Sequence, residues 1–261
     1  MRTALAFLTV LSTVGSASAS GPLAAHRAVY EIDLAEATER SGITGMTGRM
    51  VYDFGGSSCD GYTVSFRFVT RVETEDVTRV TDQQTTTYEN VEENVFQFAT
   101  RSFVDQQQDR DVKGMASEGS VELTRPEERS VDLPEAAFPT QHTLELLRAA
   151  ERGETLFERR IFDGSDDADK ALATTAIIGK SREGASGEGN VLSDEFDGLR
   201  YWPVTIAYYN DGGSEGEALP LYRIEMDLFE NGVARDIAMD YGDFRLSGTL
   251  SQLDMKPSDD C

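Results

Sequence analysis

Alternation with a period of two governs this chain. In Tyr62 to Val69 (YTVSFRFV), Tyr62, Val64, Phe66 and Phe68 share one face, while Thr63, Ser65 and Arg67 share the other. Successive side chains point to opposite faces only along an extended strand, so such a run builds a half-buried sheet. Ala28 to Leu34 (AVYEIDL) repeats the pattern, and Met46 to Phe54 continues it after a Gly-rich join. Further runs begin near Asp76, Thr85, Val95, Asp109, Gly119 and Ser130. Later strands are expected at Thr155 to Phe162, Ala171 to Ile178, Val204 to Tyr209, Tyr222 to Phe229, Ala234 to Asp240 and Phe244 to Leu250. Beta-branched and aromatic residues dominate these segments, as half-buried strands require.

The joins are short and turn-like. Asn231-Gly232 separates two alternating runs and is the clearest hairpin signal, since both residue types tolerate positive φ. Asn210 to Gly216 (NDGGSEG) reads as a looser connection, and Lys180 to Gly189 (KSREGASGEG) as a long loop within one domain. Consecutive strands joined in this way make an antiparallel meander rather than βαβ units. The fold class is therefore all-β, with one exception to the period. Pro139 to Gly153 (PTQHTLELLRAAERG) places Leu144, Leu147 and Ala150 at helical spacing, with Leu146 nearby. Thr140 is the expected N-cap and Gly153 the stop, giving one α-helix over about 140–152 that plugs or covers the sheet.

The N-terminal stretch MRTALAFLTVLSTVGSASAS has a basic start, an apolar run from Ala4 to Val14, and Ala17-Ser18-Ala19 as an A-x-A site. It reads as a signal peptide over 1–19, cleaved after Ala19, leaving 20–261 as a single exported domain. The apolar run is about half the roughly 20 residues that span a bilayer, and nothing later is long and apolar enough for a transmembrane helix. With 24 basic against 47 acidic residues, the formal charge is −23. Phosphate neutralisation needs a basic patch and none is visible, so nucleic acid is not an expected partner.

Cys59 and Cys261 are the only two cysteines. An even number in an exported chain makes a Cys59–Cys261 disulfide the default expectation, against the alternative of two independent thiols. Catalytic signatures fail on context. Gly212 to Gly216 matches G-x-S-x-G in letters, but a nucleophile elbow needs a strand before the serine and a helix after it, and here another strand follows. His26 is expected to be an exposed residue of the first strand, and His142 a packed or surface residue of the helix. Neither has a nucleophile beside it in the sequence. The two histidines and two cysteines lack zinc spacing. Asp163 to Asp169 lacks the glycine and the closing acid of a calcium loop, because Ala168 and Thr174 stand there; it reads as a solvated acidic loop. No catalytic, metal-binding or cofactor-binding residue is assigned, and no cofactor is expected. Tyr201-Trp202-Pro203, at a strand entrance, is expected to pack in the core, with a cavity-lining role as the alternative.

Several stretches together carry a family resemblance: HRAVYEIDL, GRMVYDFGGSSCDGYTVSFRFVTR, FPTQHTLELLRAAERGE, YWPVT and FRLSGTLSQL with a terminal cysteine. They span roughly His26 to Cys261 and resemble the EipB family of exported cell-envelope integrity proteins of Gram-negative bacteria. The resemblance implies a periplasmic protein whose long antiparallel sheet winds into an open, spiral-like β-barrel with a helix packed against it. It also implies a disulfide on Cys59 and Cys261, support against envelope stress, no enzymatic activity, and a periplasmic tetratricopeptide-repeat protein as partner. Two other functions stand beside this one. They are a carrier or sensor holding a lipid-like or other apolar ligand in the curved sheet, and a hydrolase using an unrecognised carboxylate site.

Overall fold

The computed structural model describes residues 23–117, 119–184, 193–210 and 219–257. The signal segment, Cys261 and the Gly212 to Gly216 turn lie outside the described residues. Fifteen antiparallel strands form one sheet. They are β1 (His26–Ala37), β2 (Ile43–Ser57), β3 (Gly61–Thr74), β4 (Thr78–Asn90), β5 (Val95–Val104), β6 (Gln107–Ser117), β7 (Ser120–Arg125) and β8 (Arg129–Asp132), then β9 (Leu156–Ile161), β10 (Leu172–Ile178), β11 (Arg182–Glu183), β12 (Arg200–Asn210), β13 (Tyr222–Phe229), β14 (Ala234–Asp240) and β15 (Phe244–Met255). The helix α1 (Pro139–Glu151) separates β8 from β9.

The topology follows from the meander. The chain steps outward from β1 to β8, crosses through α1 to β9, and steps back to β15, which pairs with β1. The ring of strands is left open between β8 and β9. There the only pairing among the described residues is a parallel bridge between Ala137 and Ile161. One concave face then runs through the whole sheet, because cross-strand partners share a face. Across one row, Trp202 pairs with Leu228, Leu228 with Ala234, and further round Tyr30 pairs with Leu250 and Met50, and Met50 with Phe68. The open barrel implied by the family resemblance is the observed architecture.

Three apolar clusters fill the concave side. One joins Phe54 and Tyr62 to Leu146, Leu147 and Ala150 of α1 and to Ile178, Trp202, Val204 and Ile206. A second gathers Ala28, Tyr30, Ile32, Ile237 and Leu246, and it continues to Phe229, which lies in the opposite phase of β13 from Leu228 and packs on the outer face with Phe196 and Tyr201. The third brings Phe96, Phe98 and Val121 of one wing against Phe162, Ala168 and Ala171 from the β9–β10 loop, so that loop spans the gap in the ring. Asp163 to Asp169 is thus more than a solvated loop. The Asp166 and Asp167 carboxylates are exposed and pair with Arg110, while Ala168 is fully buried beneath them.

Local expectations need four corrections. Thr140 does not cap the helix: Phe138 holds the N-cap position without a side-chain bond, and Pro139 is the first helical residue. The runs near Asp76 and Thr85 are one strand, β4, whose concave positions Thr81, Gln83, Thr85 and Thr87 are polar and hide the alternation. Part of the Lys180 to Gly189 segment is not loop, since Arg182 and Glu183 pair with Tyr201 and Arg200. In the β13–β14 turn only Gly232 takes positive φ, while Asn231 accepts the Val233 N–H through its side-chain oxygen.

Candidate functional site

The concave face is not filled evenly. Between β1–β2, β13–β14 and the first turn of α1 lies a cavity of about 260 Å³. Met50, Phe54, Ile224, Met226, Leu228 and Ile237 are apolar residues of its wall. Each is the inward residue of its strand, so the same alternation that makes the core also makes the cavity lining. Among the described residues, no Lys, Arg, Asp or Glu lines it.

Polar groups enter this apolar space at one end. His26 is 3% exposed rather than exposed as expected, because β1 sits in mid-sheet between β2 and β15 and its first residue points inward. Its ring lies 5.9 Å from those of Tyr52 and Phe54. His26 Nδ1 is 2.7 Å from the Ala24 carbonyl oxygen. A carbonyl only accepts, so Nδ1 carries the proton and the neutral ring leaves Nε2 as an acceptor. Burial pushes the His26 pKa down and keeps the ring neutral. Tyr30 donates to the Ala234 carbonyl at 2.7 Å. The Tyr52 hydroxyl pKa is raised by burial first and by the nearby Glu89 carboxylate second.

Glu89 is the unforeseen residue of this region. It is an inward side chain of β4, 2% exposed, and its two carboxylate oxygens accept the N–H groups of Thr140 and Gln141, both at 2.7 Å. Its pKa is raised by desolvation, an effect the helix N–H bonds oppose. Glu89 therefore caps α1 from across the barrel and fixes the cavity roof. The sequence signal was a lone acid in the inward phase of a strand, at the position opposite Tyr62.

His142 lies on the buried side of α1. Thr174 Oγ1 donates to the Arg159 carbonyl at 2.7 Å, so at 3.0 Å it accepts from His142 Nε2–H. Burial, helped by Arg159, lowers the His142 pKa to about 4. It is a packed core residue, 3% exposed, and its Thr174 partner spends its own proton on the Arg159 carbonyl. Trp202 is buried in the helix-facing cluster and does not line the cavity, as its core reading required. Among the described residues, no three His, Cys, Asp or Glu side chains converge in a metal-binding group. No helix among them is long and apolar enough to cross a membrane.

A second cavity, of about 290 Å³, opens at the opposite rim. Its lining is mixed, with Phe68 and Phe244 facing Thr70, Thr81, Gln83 and Ser102. Thr70 and Thr81 satisfy each other at 2.6 Å, so this rim is polar but internally paired.

Comparison with known proteins gives the same architecture. The chain is 45% identical to the cell envelope integrity protein EipB of Brucella abortus over 248 residues, covering 92% of this chain and 88% of that protein. A crystal structure of a β-barrel-like protein from Brucella abortus, of a domain of unknown function, superposes with a TM-score of 0.83 at 43% identity. That match covers 90% of this chain and 99% of the other. The EipB-like family model matches residues 17–257, and the chain belongs to that family.

Proposed function

We propose that this chain is a non-enzymatic periplasmic protein that supports cell-envelope integrity and resistance to envelope stress through protein–protein contacts. The observation that carries the reading is the 45% identity, over 92% of the chain, to a protein named for envelope integrity. The partner class proposed is a periplasmic tetratricopeptide-repeat protein. The test is a deletion strain challenged with detergent, together with cross-linking pull-down of the tagged protein from its own periplasm. Sensitivity restored by the wild-type gene and a specific cross-linked protein are expected. An unaltered deletion strain, or no specific partner under conditions that hold known envelope complexes, would refute the reading.

The export route proposed is a signal peptide over 1–19, followed by one domain over 20–261 closed by a Cys59–Cys261 disulfide. The pairing is supported by where the C-terminal strand ends. His26 pairs with Met255 on one side and Phe54 on the other, Lys256 N–H donates to the Ala25 carbonyl at 2.8 Å, and Lys256 also pairs with Asp53. Cys59 stands in the β2–β3 turn just beyond this row, about two strand spacings or 10 Å across. Five residues of extended chain reach about 17 Å, enough to bring Cys261 to it.

A second reading is favoured by one observation, the apolar cavity of about 260 Å³. On that reading the protein also carries or senses an apolar ligand inside the barrel.

A further inference from the structure

We infer that the cavity under α1 is built for an uncharged apolar chain that ends in a single hydroxyl, held by Tyr52 and His26. This deepens, and rests on, the reading of the barrel as a ligand carrier or sensor. Three features of the cavity lead to it: its charge, its size and its two unsatisfied polar groups.

Charge excludes the commonest amphiphiles. A carboxylate or phosphate head buried here would find no Lys or Arg in the lining. It would also meet the field of the Glu89 carboxylate, which acts on the Tyr52 hydroxyl. An unpaired buried anion costs far more than the methylene groups of its tail return. A cationic head fares little better, because the Glu89 carboxylate is already taken by the Thr140 and Gln141 N–H groups and Asp53, which acts on His26, is already paired with Lys256.

Size sets the tail. A dry cavity of about 150 Å³ accommodates benzene, so about 260 Å³ suits a chain of about ten carbons. Met50, Met226 and Met239 line the space, and their unbranched thioethers adapt to a flexible chain better than branched side chains do.

The polar pair sets the head. Among the described residues the Tyr52 hydroxyl has no hydrogen-bond partner, while its ring is stacked on Phe54 and tilted against His26. His26 Nε2 is the acceptor left over once Nδ1 has donated to Ala24. Neither atom is sealed inside the protein, since among the described residues the fully buried side-chain atom without a hydrogen-bond partner is Arg159 Nε; these two, on neighbouring rings, both open onto the same apolar space. One group meets both needs. A ligand hydroxyl accepts from Tyr52 and donates to His26 Nε2. An ether oxygen meets only the first, and a carboxylate cannot donate at all.

Isothermal titration of the folded mature protein at pH 7.5 with 1-decanol, decyl methyl ether and decanoate tests this. One equivalent of 1-decanol should bind, about 3- to 10-fold tighter than the ether, the ratio expected for one hydrogen bond, and tighter still than decanoate. Tyr52→Phe, which keeps the ring, should weaken decanol and ether alike by a similar factor. Met226→Trp should abolish binding by filling the cavity; circular dichroism establishes that each variant is folded. Decanoate binding as tightly as decanol, or Tyr52→Phe leaving decanol affinity unchanged, would overturn the hydroxyl assignment while leaving a ligand-carrying barrel. No saturable binding by any of the three would overturn both.

Discussion

Replacing Glu89 tests the link between the sheet and the helix that roofs its cavity. The first turn of any helix leaves orphan N–H groups, and those of α1 past its N-cap residue are accounted for. Pro139 has none, His142 N–H donates to the Phe138 carbonyl at 2.8 Å, and Thr140 and Gln141 donate to Glu89 at 2.7 Å. Glu89→Ala leaves both amides buried without partners, at about 1–3 kcal/mol each. It also relieves the desolvation that raises the Glu89 pKa, which offsets part of that loss. The net expectation is a destabilisation of about 2–4 kcal/mol. Glu89→Gln keeps one acceptor oxygen and turns an N–H toward the other amide, for about 1–2 kcal/mol. At about 2–4 °C per kcal/mol for a domain of this size, Tm falls by roughly 5–15 °C for Glu89→Ala and by about half that for Glu89→Gln. Thermal unfolding followed by circular dichroism measures the shift, and hydrogen exchange at the Thr140 and Gln141 amides locates it. Both variants unfolding within 1 °C of wild type, with those amides equally protected, would refute the capping argument.

The remaining expectations concern pH, the bridge and one turn. The pKa of His142 is lowered to about 4 from 6.5, so between those values the unfolded chain takes up a proton that the native state refuses. Stability is therefore full above pH 6.5 and is lost as pH falls toward 4, by about 3 kcal/mol from this residue. Urea titrations at pH 7, 5.5 and 4 should show a shallower loss in His142→Gln, and parallel losses would contradict the assignment. If Cys59 and Cys261 are joined, denatured unreduced protein should contain no reactive thiol and Cys59→Ser should contain one. The loss of stability should be about 2–5 kcal/mol, and two thiols in the wild type would exclude the bridge. Gly61 has φ +82°, and a Cβ there would sit 2.7 Å from the Tyr88 ring, whereas Gly42, at φ +65°, has open space. Gly61→Ala should lower Tm more than Gly42→Ala, because it adds overpacking to backbone strain. Equal shifts would show that the ring yields freely.

What could be read in the sequence was what alternation records. Tyr222 to Phe229 and Ala234 to Asp240 are β13 and β14 to the residue, since apolar and polar positions there follow the two faces of the sheet. The same rule failed along β4, where Thr81, Gln83, Thr85 and Thr87 all take the inward phase, and Thr81 and Gln83 line the second cavity instead of core. It failed again at His26, because exposure depends on whether a strand is central, and the pairing of β1 with β15 joins opposite ends of the chain. Glu89 and the first turn of α1 are 51 residues apart, so no local pattern can show that they meet. These failures share a form: a polar group in the inward phase of a strand. Where the fold supplies a partner, as α1 does for Glu89, the departure from alternation is structural. Where the partner is missing, as for the Tyr52 hydroxyl and His26 Nε2, the same departure marks the part of the barrel shaped for something other than the chain itself.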